Sequence, residues 1–210
     1  MDHRSTRSAT RRPVTLVVLG LSAFTLAACG GKRVSRIDPA TVTDLSGRWN
    51  DTDSRLVANA LIEQSLTAPW ARRYAEAHGG ERPTVIVGEF RNRTLEHIPV
   101  GTFIRDLERA FVNSGAVRVV ASSDERKEIR AEREDQQEYA RADTRARLGQ
   151  ELGARYMLQG EIQAIEDEEG SEKVVFYQVD ATLVDLESNE KAWVGQYQIK
   201  KYIERSRFRP

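Results

Sequence analysis

One cysteine and three histidines are all that this 210-residue chain carries of the usual thiol and imidazole chemistry, and each scarcity closes off a class of function. A lone thiol cannot close a disulfide within the chain, so the fold must be held by its apolar core. His78 and His97 stand in the body of the sequence without His-x-x-x-His spacing or a pair of cysteines, which leaves zinc without a ligand set. A G-x-S-x-G nucleophile turn and a P-loop are both missing. Catalysis needs a nucleophile matched to a base; no such pair can be assembled, and the chain reads as a non-enzyme with no metal and no cofactor. Acidic residues are plentiful but on their own read as solvated surface. Basic excess is lacking as well, with 32 Lys and Arg against 32 Asp and Glu, which argues against nucleic acid as a partner. There is no internal repeat, no low-complexity tract and no apolar run of the roughly 20 residues that cross a bilayer.

What is present begins with the surroundings of the single cysteine. "MDHRSTRSATRR" sets Arg4, Arg7, Arg11 and Arg12 against Asp2, and the apolar run "VTLVVLGLSAFTLAA" follows over 14–28. A basic start, a short apolar middle and small residues at the exit make a secretory signal. Leu26-Ala27-Ala28-Cys29 resembles a lipobox, the site at which bacterial lipoproteins are cut before a cysteine that is then acylated. Residues 1–28 are therefore expected to be a signal peptide and Cys29 the lipid attachment site, anchoring the protein in a membrane. Several acyl chains, at about 0.8 kcal/mol per buried methylene, hold firmly where one chain is reversible. Gly30 stands where an Asp would resemble the inner-membrane retention signal, which favours the outer membrane, on its periplasmic side, in a Gram-negative source. Without the signal the chain carries a net charge of about −3.

Residues 29–50 read as the lipidated cysteine and a flexible linker, since "GGKRVSRIDPATVTDLSGRWN" has Gly, Pro and Ser and no sustained period. Such a coil has an end-to-end distance of about 25 Å. The folded part is expected over 51–210. "DTDSRLVANALIEQSLTAPWARRYAEAHGG" predicts a helix capped by Asp51, Thr52 or Asp53, with a stripe of Val57, Ala60 and Leu61, a bend near Pro69 and a stop at Gly79-Gly80. "PTVIVGEF" predicts a strand buried on both faces. "TFIRDLERAFVNSG" predicts an amphipathic helix with Phe103, Leu107, Ala110 and Phe111 inward, and "VRVVAS" a second strand, parallel to the first by a right-handed crossover. Ser122 and Glu125 make a capping box for a charged helix in which only Ile129 and Tyr139 are large and apolar between 124 and 142. Leu148, Leu152 and Gly153 read as the end of a further helix.

From Tyr156 onward the period changes to 2. Tyr156, Leu158, Gly160, Ile162 and Ala164 share one face; Val175, Tyr177, Val179, Ala181 and Leu183 form the next inward row, and Trp193, Gly195, Tyr197 and Ile199 the last. "EDEEGSE" and "ESNE" read as hairpin turns. The fold class is α/β, a single domain whose mixed sheet has a parallel strand-helix-strand part followed by an antiparallel meander of three strands, with helices packed on the sheet.

The lipobox, "VGEFRNRTLEHIPVG", "LGQELGARYMLQGEI" and "NEKAWVGQYQIKK", taken in this order, resemble the LpoB-type penicillin-binding-protein activator lipoproteins, whose fold is similar to the amino-terminal domain of TolB. The resemblance runs from about Asp44 to Arg205 and implies a monomeric, non-catalytic outer-membrane lipoprotein that binds a bifunctional penicillin-binding protein and activates peptidoglycan synthesis. In such a mechanism a partner favours the active arrangement by binding it more tightly. The linker here is shorter than that of the best-known members. The alternative reading is a TolB-like or CsgG-like binding module of an outer-membrane assembly or secretion complex, which would form rings.

Three stretches are candidate partner surfaces, each with two open readings. Arg91, Asn92, Arg93 and Thr94 follow the first strand, where open α/β sheets place ligand contacts, yet Asn92 and Thr94 equally suit a loop-shaping role. The charged helix is either a solvated surface or a partner-binding element anchored by Tyr139. The basic terminus with Lys200, Lys201, Arg205, Arg207 and Arg209 either touches anionic polymer or headgroups, or is a frayed end.

Overall fold

The computed structural model describes residues 34–149 and 151–205; the signal segment, Cys29, Arg207 and Arg209 lie outside them. The chain divides into two units, Met1–Asp38 and Pro39–Pro210. In the first, the described residues 34–38 are exposed and belong to no regular element. The second contains four helices and five strands in the order α1 (Asp51–Thr67), α2 (Trp70–Ala77), β1 (Thr84–Asn92), α3 (Val100–Ser114), β2 (Arg118–Val119), α4 (Ser123–Tyr139), β3 (Tyr156–Glu169), β4 (Glu172–Asp185) and β5 (Lys191–Glu204) among the described residues.

Local chemistry explains the helix boundaries. α1 starts one residue earlier than its acidic run suggested: Asn50 is the cap, its Oδ1 accepting from the Asp53 amide at 3.1 Å while Asp53 Oδ2 accepts from the Asn50 amide at 2.9 Å. α1 ends because Ala68 precedes a proline and takes extended dihedrals (φ −71°, ψ 151°). The expected bend is thus a break, with α2 beginning directly after Pro69. On α1, Val57, Ala58, Leu61 and Ile62 are buried and Ala60 is only half-buried.

The sheet order is β2-β1-β3-β4-β5, with β1 parallel to β2 and β3, and β3, β4 and β5 antiparallel in sequence. This is the mixed α/β sheet expected. One face carries the core, where Val85, Val87, Phe90, Leu158, Ile162, Val179, Ala181 and Leu183 meet Phe103, Leu107 and Phe111 of α3 and the α1 stripe. Each such Phe or Leu contributes about 1.5–3 kcal/mol by burial. Inward parity along the meander follows the alternation read from sequence, because a one-residue slip would expose every one of these side chains.

Four stretches differ from expectation. β2 is only two residues long, because it pairs with β1 at Thr84–Arg118 and Val85–Val119 and is then drawn off the sheet by the Ser122 cap of α4. Among the described residues around Leu148 and Leu152, which are 59% and 50% exposed, no helix forms. Gly149 and Gly153 cost a helix about 1 kcal/mol each, and Arg155 is held extended by donating its amide to Thr84. Most of "EDEEGSE" continues β3, leaving only Gly170 and Ser171 as the turn. Lys200, Lys201 and Tyr202 are in β5, so the basic terminus is ordered sheet up to Glu204.

Candidate functional site

Residues 44–50, read from sequence as the end of a linker, pack on the domain as a collar. Their hold comes from a lysine on the wrong parity. Lys201 lies between Ile199 and Ile203 on the inward row of β5, so its ammonium cannot reach bulk water without a partner. It donates to Asp53 at 2.6 Å, to Asp44 at 2.7 Å and to the Arg48 carbonyl at 3.1 Å, which uses all three of its protons. Burial lowers the Lys201 pKa, and the hydrogen bonds to Asp44 and Asp53 more than reverse this; the bond from Lys201 is also what holds the Asp44 carboxyl below its usual range. Gly47, at φ +70°, lies against Ile203 where a side chain would overlap it.

Trp49 completes the collar. Its ring meets Phe103 and Tyr177 edge-on, with centroids 6.5 and 5.5 Å away, and its indole N–H donates to Ser54 at 2.8 Å. Its amide donates to Glu96 at 3.0 Å, and the other Glu96 oxygen accepts from the Tyr177 hydroxyl at 2.6 Å. Burial first, and then the bond to Glu96, push the Tyr177 hydroxyl above its ordinary pKa.

The loop after β1 is what aims Glu96. Asn92 Oδ1 accepts from the Thr94 amide and hydroxyl at 2.9 and 2.8 Å, while Asn92 Nδ2 donates to the Glu96 carbonyl at 2.7 Å. Of the two roles open for Asn92 and Thr94, the geometry displays loop shaping. Arg91 and Arg93 point outward, paired with Glu89 at 3.0 Å and Glu161 at 3.6 Å. Asn92→Ala removes the acceptor of two donors, so a loss of about 1–3 kcal/mol is expected, measured as the urea midpoint; no change would reject the link from this loop to the collar.

α4 buries none of its side chains, and Tyr139 is 74% exposed. The helix is held by polar contacts instead: Arg105 to Glu125 at 2.6 Å, Arg130 to both Glu151 oxygens at 3.0 and 2.8 Å, and Gln136 and Gln137 to Ala146. The bond from Arg105, joined by the Ser122 amide and hydroxyl, lowers the Glu125 carboxyl from 4.5 to about 2. A depressed acid stabilises above its unfolded pKa and ceases to as pH falls through its folded one. The anchoring of α4 is therefore expected to be lost between pH 4.5 and about 2. An NMR titration of the Glu125 carboxyl checks this, with Arg105→Ala moving the midpoint upward; a wild-type midpoint near 4.5 would refute it.

At the end of the sheet opposite the collar, α2, the starts of β3 and β5 and the end of β4 line an open pocket of about 550 Å3. Trp70 and Tyr156 form its buried floor, their rings edge-on at 5.1 Å, and Tyr74 meets Tyr156 at 5.9 Å and stacks flat on His78 at 3.9 Å. Trp70 is fixed by donating to the Ser65 carbonyl at 2.7 Å. Asp185 accepts from Arg155 at 2.9 and 2.8 Å and from the amides of Glu187 and Ser188, so it braces both the floor and the β4–β5 turn.

Neither the collar nor this cluster was singled out from sequence, although signals existed. A tryptophan inside an assumed linker and a lysine on a strand's inward row each demand a partner, and Trp70 and Tyr74 share one face of α2 at i, i+4. Among the described residues no group of three or more His, Cys, Asp and Glu is placed to hold a metal.

Comparison with known proteins bears on the whole domain. The NMR structure of E. coli LpoB is similar at 14% identity, over 98% of this chain and 93% of that one, with a TM-score of 0.40. The LpoB C-terminal domain from Salmonella enterica matches at 16% identity, over 71% and 99% of the two chains, with a TM-score of 0.38. The PelC dodecamer from Paraburkholderia phytofirmans is similar at 18% identity over 57% and 73%, with a TM-score of 0.29. No curated protein sequence matches. The family model of the peptidoglycan-synthase activator LpoB matches residues 53–199, from the first turn of α1 into β5. With well over half its length matched, the chain belongs to the LpoB family of peptidoglycan-synthase activators.

Proposed function

We propose that this protein is a lipoprotein, tethered through Cys29 to the outer membrane and facing the periplasm, that binds a bifunctional penicillin-binding protein as a monomer and stimulates its synthesis of peptidoglycan without catalysing a reaction itself. The observation that carries the reading is the family match across residues 53–199, standing behind a lipobox at 26–29. A domain that binds the synthase's active arrangement more tightly than its resting one shifts the population toward activity, which requires differential contact and no chemistry of its own. Arg91, Arg93 and Tyr139 are exposed side chains proposed for contact, while Asn92 and Thr94 serve the loop that carries the two arginines.

The test is cross-linking in intact cells from the tagged full-length lipoprotein, with mass spectrometry of what is trapped. Recovery of a bifunctional penicillin-binding protein is expected; recovery only of assembly or secretion components would overturn the reading in favour of the alternative. Sedimentation of the purified protein should show a monomer at all concentrations, and rings would point the same way as that alternative. Cys29→Ala is expected to abolish membrane association, leaving a soluble periplasmic form or an uncut precursor in fractionated cells. Unchanged fractionation would remove the lipid anchor from the proposal.

A further inference from the structure

Resting on the activator reading, we propose that Leu95 is the apolar anchor of a contact made by the loop after β1, and that the synthase receives it in an apolar pocket sized for one such side chain.

Exposure and parity are the first argument. From Arg91 to Ile98 the chain alternates: Arg91, Arg93, Leu95 and His97 are exposed, Asn92, Thr94 and Glu96 are half-buried, and Ile98 is buried. The inward four are all committed to the domain. Ile98 belongs to the core, the Glu96 carboxylate binds Trp49 and Tyr177, and Asn92 and Thr94 bind each other and the Glu96 carbonyl. The outward four form a ridge, and at its crest Leu95 is 100% exposed, more than any other large apolar side chain among the described residues. A loop that only connected β1 to α3 would gain nothing from a leucine there, since its apolar surface stays in water.

Rigidity is the second. Arg93 donates its amide to the Ile162 carbonyl on β3 at 2.8 Å, and the Ile98 amide donates to the Glu96 carbonyl at 3.1 Å. The ridge is thereby fastened to the sheet on one side of Leu95 and to the core on the other. Between them the Glu96 amide donates to the Thr94 hydroxyl at 3.1 Å. An anchor on so fixed a loop loses little conformational freedom when it docks. Tyr139, by contrast, stands on a helix with no buried side chain.

Charge decides what kind of partner surface fits. Arg91 pairs with Glu89 and Arg93 with Glu161, so the arginines beside Leu95 are already matched within the domain. An apolar centre bordered by matched, solvated charges is the core-and-rim arrangement of a protein interface, and it complements an apolar pocket with a polar rim.

The experiment titrates the full-length lipidated protein, in detergent, against a purified bifunctional penicillin-binding protein. Leu95→Ala is expected to weaken binding about tenfold or more, by the same factor at low and high salt, because burial of apolar surface is not screened. Leu95→Met, which conserves volume, should stay within about threefold. Val112→Ala, a truncation of another exposed apolar side chain on α3, should leave affinity unchanged. Thermal melts of the three variants should coincide with that of the wild type. If the wild type binds and Leu95→Ala binds equally well, or its loss vanishes at high salt, the anchor is overturned while the activator reading stands. If the wild type binds no bifunctional synthase, the activator reading falls and this proposal with it.

Discussion

Lys201→Ala is expected to destabilise the domain by about 3–5 kcal/mol, the range found when one member of a buried ion pair is removed and its counter-charge is left without a partner. The side chains of Lys201 and Asp53 are 10% and 5% exposed, so water cannot take the place of the lost ammonium. Asp53 would keep its capping bond to the Asn50 amide but lose the cation that compensates its charge, and the Arg48 carbonyl would lose its only side-chain donor. Residues 44–48 would detach first, uncovering Ile203, while Trp49 would keep its bonds to Glu96 and Ser54 and its ring contacts with Phe103 and Tyr177. Urea unfolding followed by tryptophan fluorescence measures the loss; a midpoint shift under about 1 kcal/mol would show that the collar is not held by this lysine. Removing both charges, as Lys201→Met with Asp53→Asn, should cost less than the single change, since the penalty lies in the abandoned charge. The pH dependence has a defined sign. Lys201 is raised above its ordinary 10.5, so its contribution is complete at neutral pH and is lost as pH rises through that higher value. Asp44 is lowered from 3.8, so its contribution is present above that pH and lost as pH falls through the lower one.

Trp193→Ala is the second large effect, also about 3–5 kcal/mol, from lost transfer energy together with the cavity left behind. Trp193 is 9% exposed and faces Leu183 across the β4–β5 ladder. Its ring lies against Gly195, where any side chain would overlap the indole. The vacancy could not be filled from within the strand, because Gly195 has nothing to offer and the α1 helix on the other side is fixed by its contacts with α3. Trp193→Phe should recover part of the loss. Thermal unfolding of the two variants settles it: equal midpoints for wild type and Trp193→Ala would mean that the inward row of β5 carries no core anchor.

The elements legible in the sequence are those whose cause is local. The parity of β3, β4 and β5 is written in an alternation of period 2, and the buried row Val175, Tyr177, Val179, Ala181 and Leu183 agrees with it at every position. Ser122 and Glu125 cap α4 from three residues apart, and Pro69 breaks a helix through its immediate neighbour. Where local cause and tertiary context disagreed, context decided. Around Leu148 and Leu152 the apolar spacing resembled a helix end, but no core surface lies opposite and Arg155 is drawn into the β1–β3 ladder.

The collar and the far-end cluster were illegible for one shared reason. Asp44 and Lys201 are 157 positions apart, and Trp70 and Tyr156 meet only because α2 and β3 converge. No window along the chain contains both members of either pair. By itself the sequence determined the alternation of the meander, the capping box of α4 and the family resemblance, all carried by neighbours within a few residues or by motif order, and it holds the lipobox-like motif on which the proposed anchor rests. Only the tertiary structure decided that residues 44–50 belong to the domain, that a lysine is buried between two aspartates, and that Trp70, Tyr74 and Tyr156 meet at one end of the sheet. Burial and ion pairing are properties of distances in space, and the folding of distant segments onto one another sets those distances.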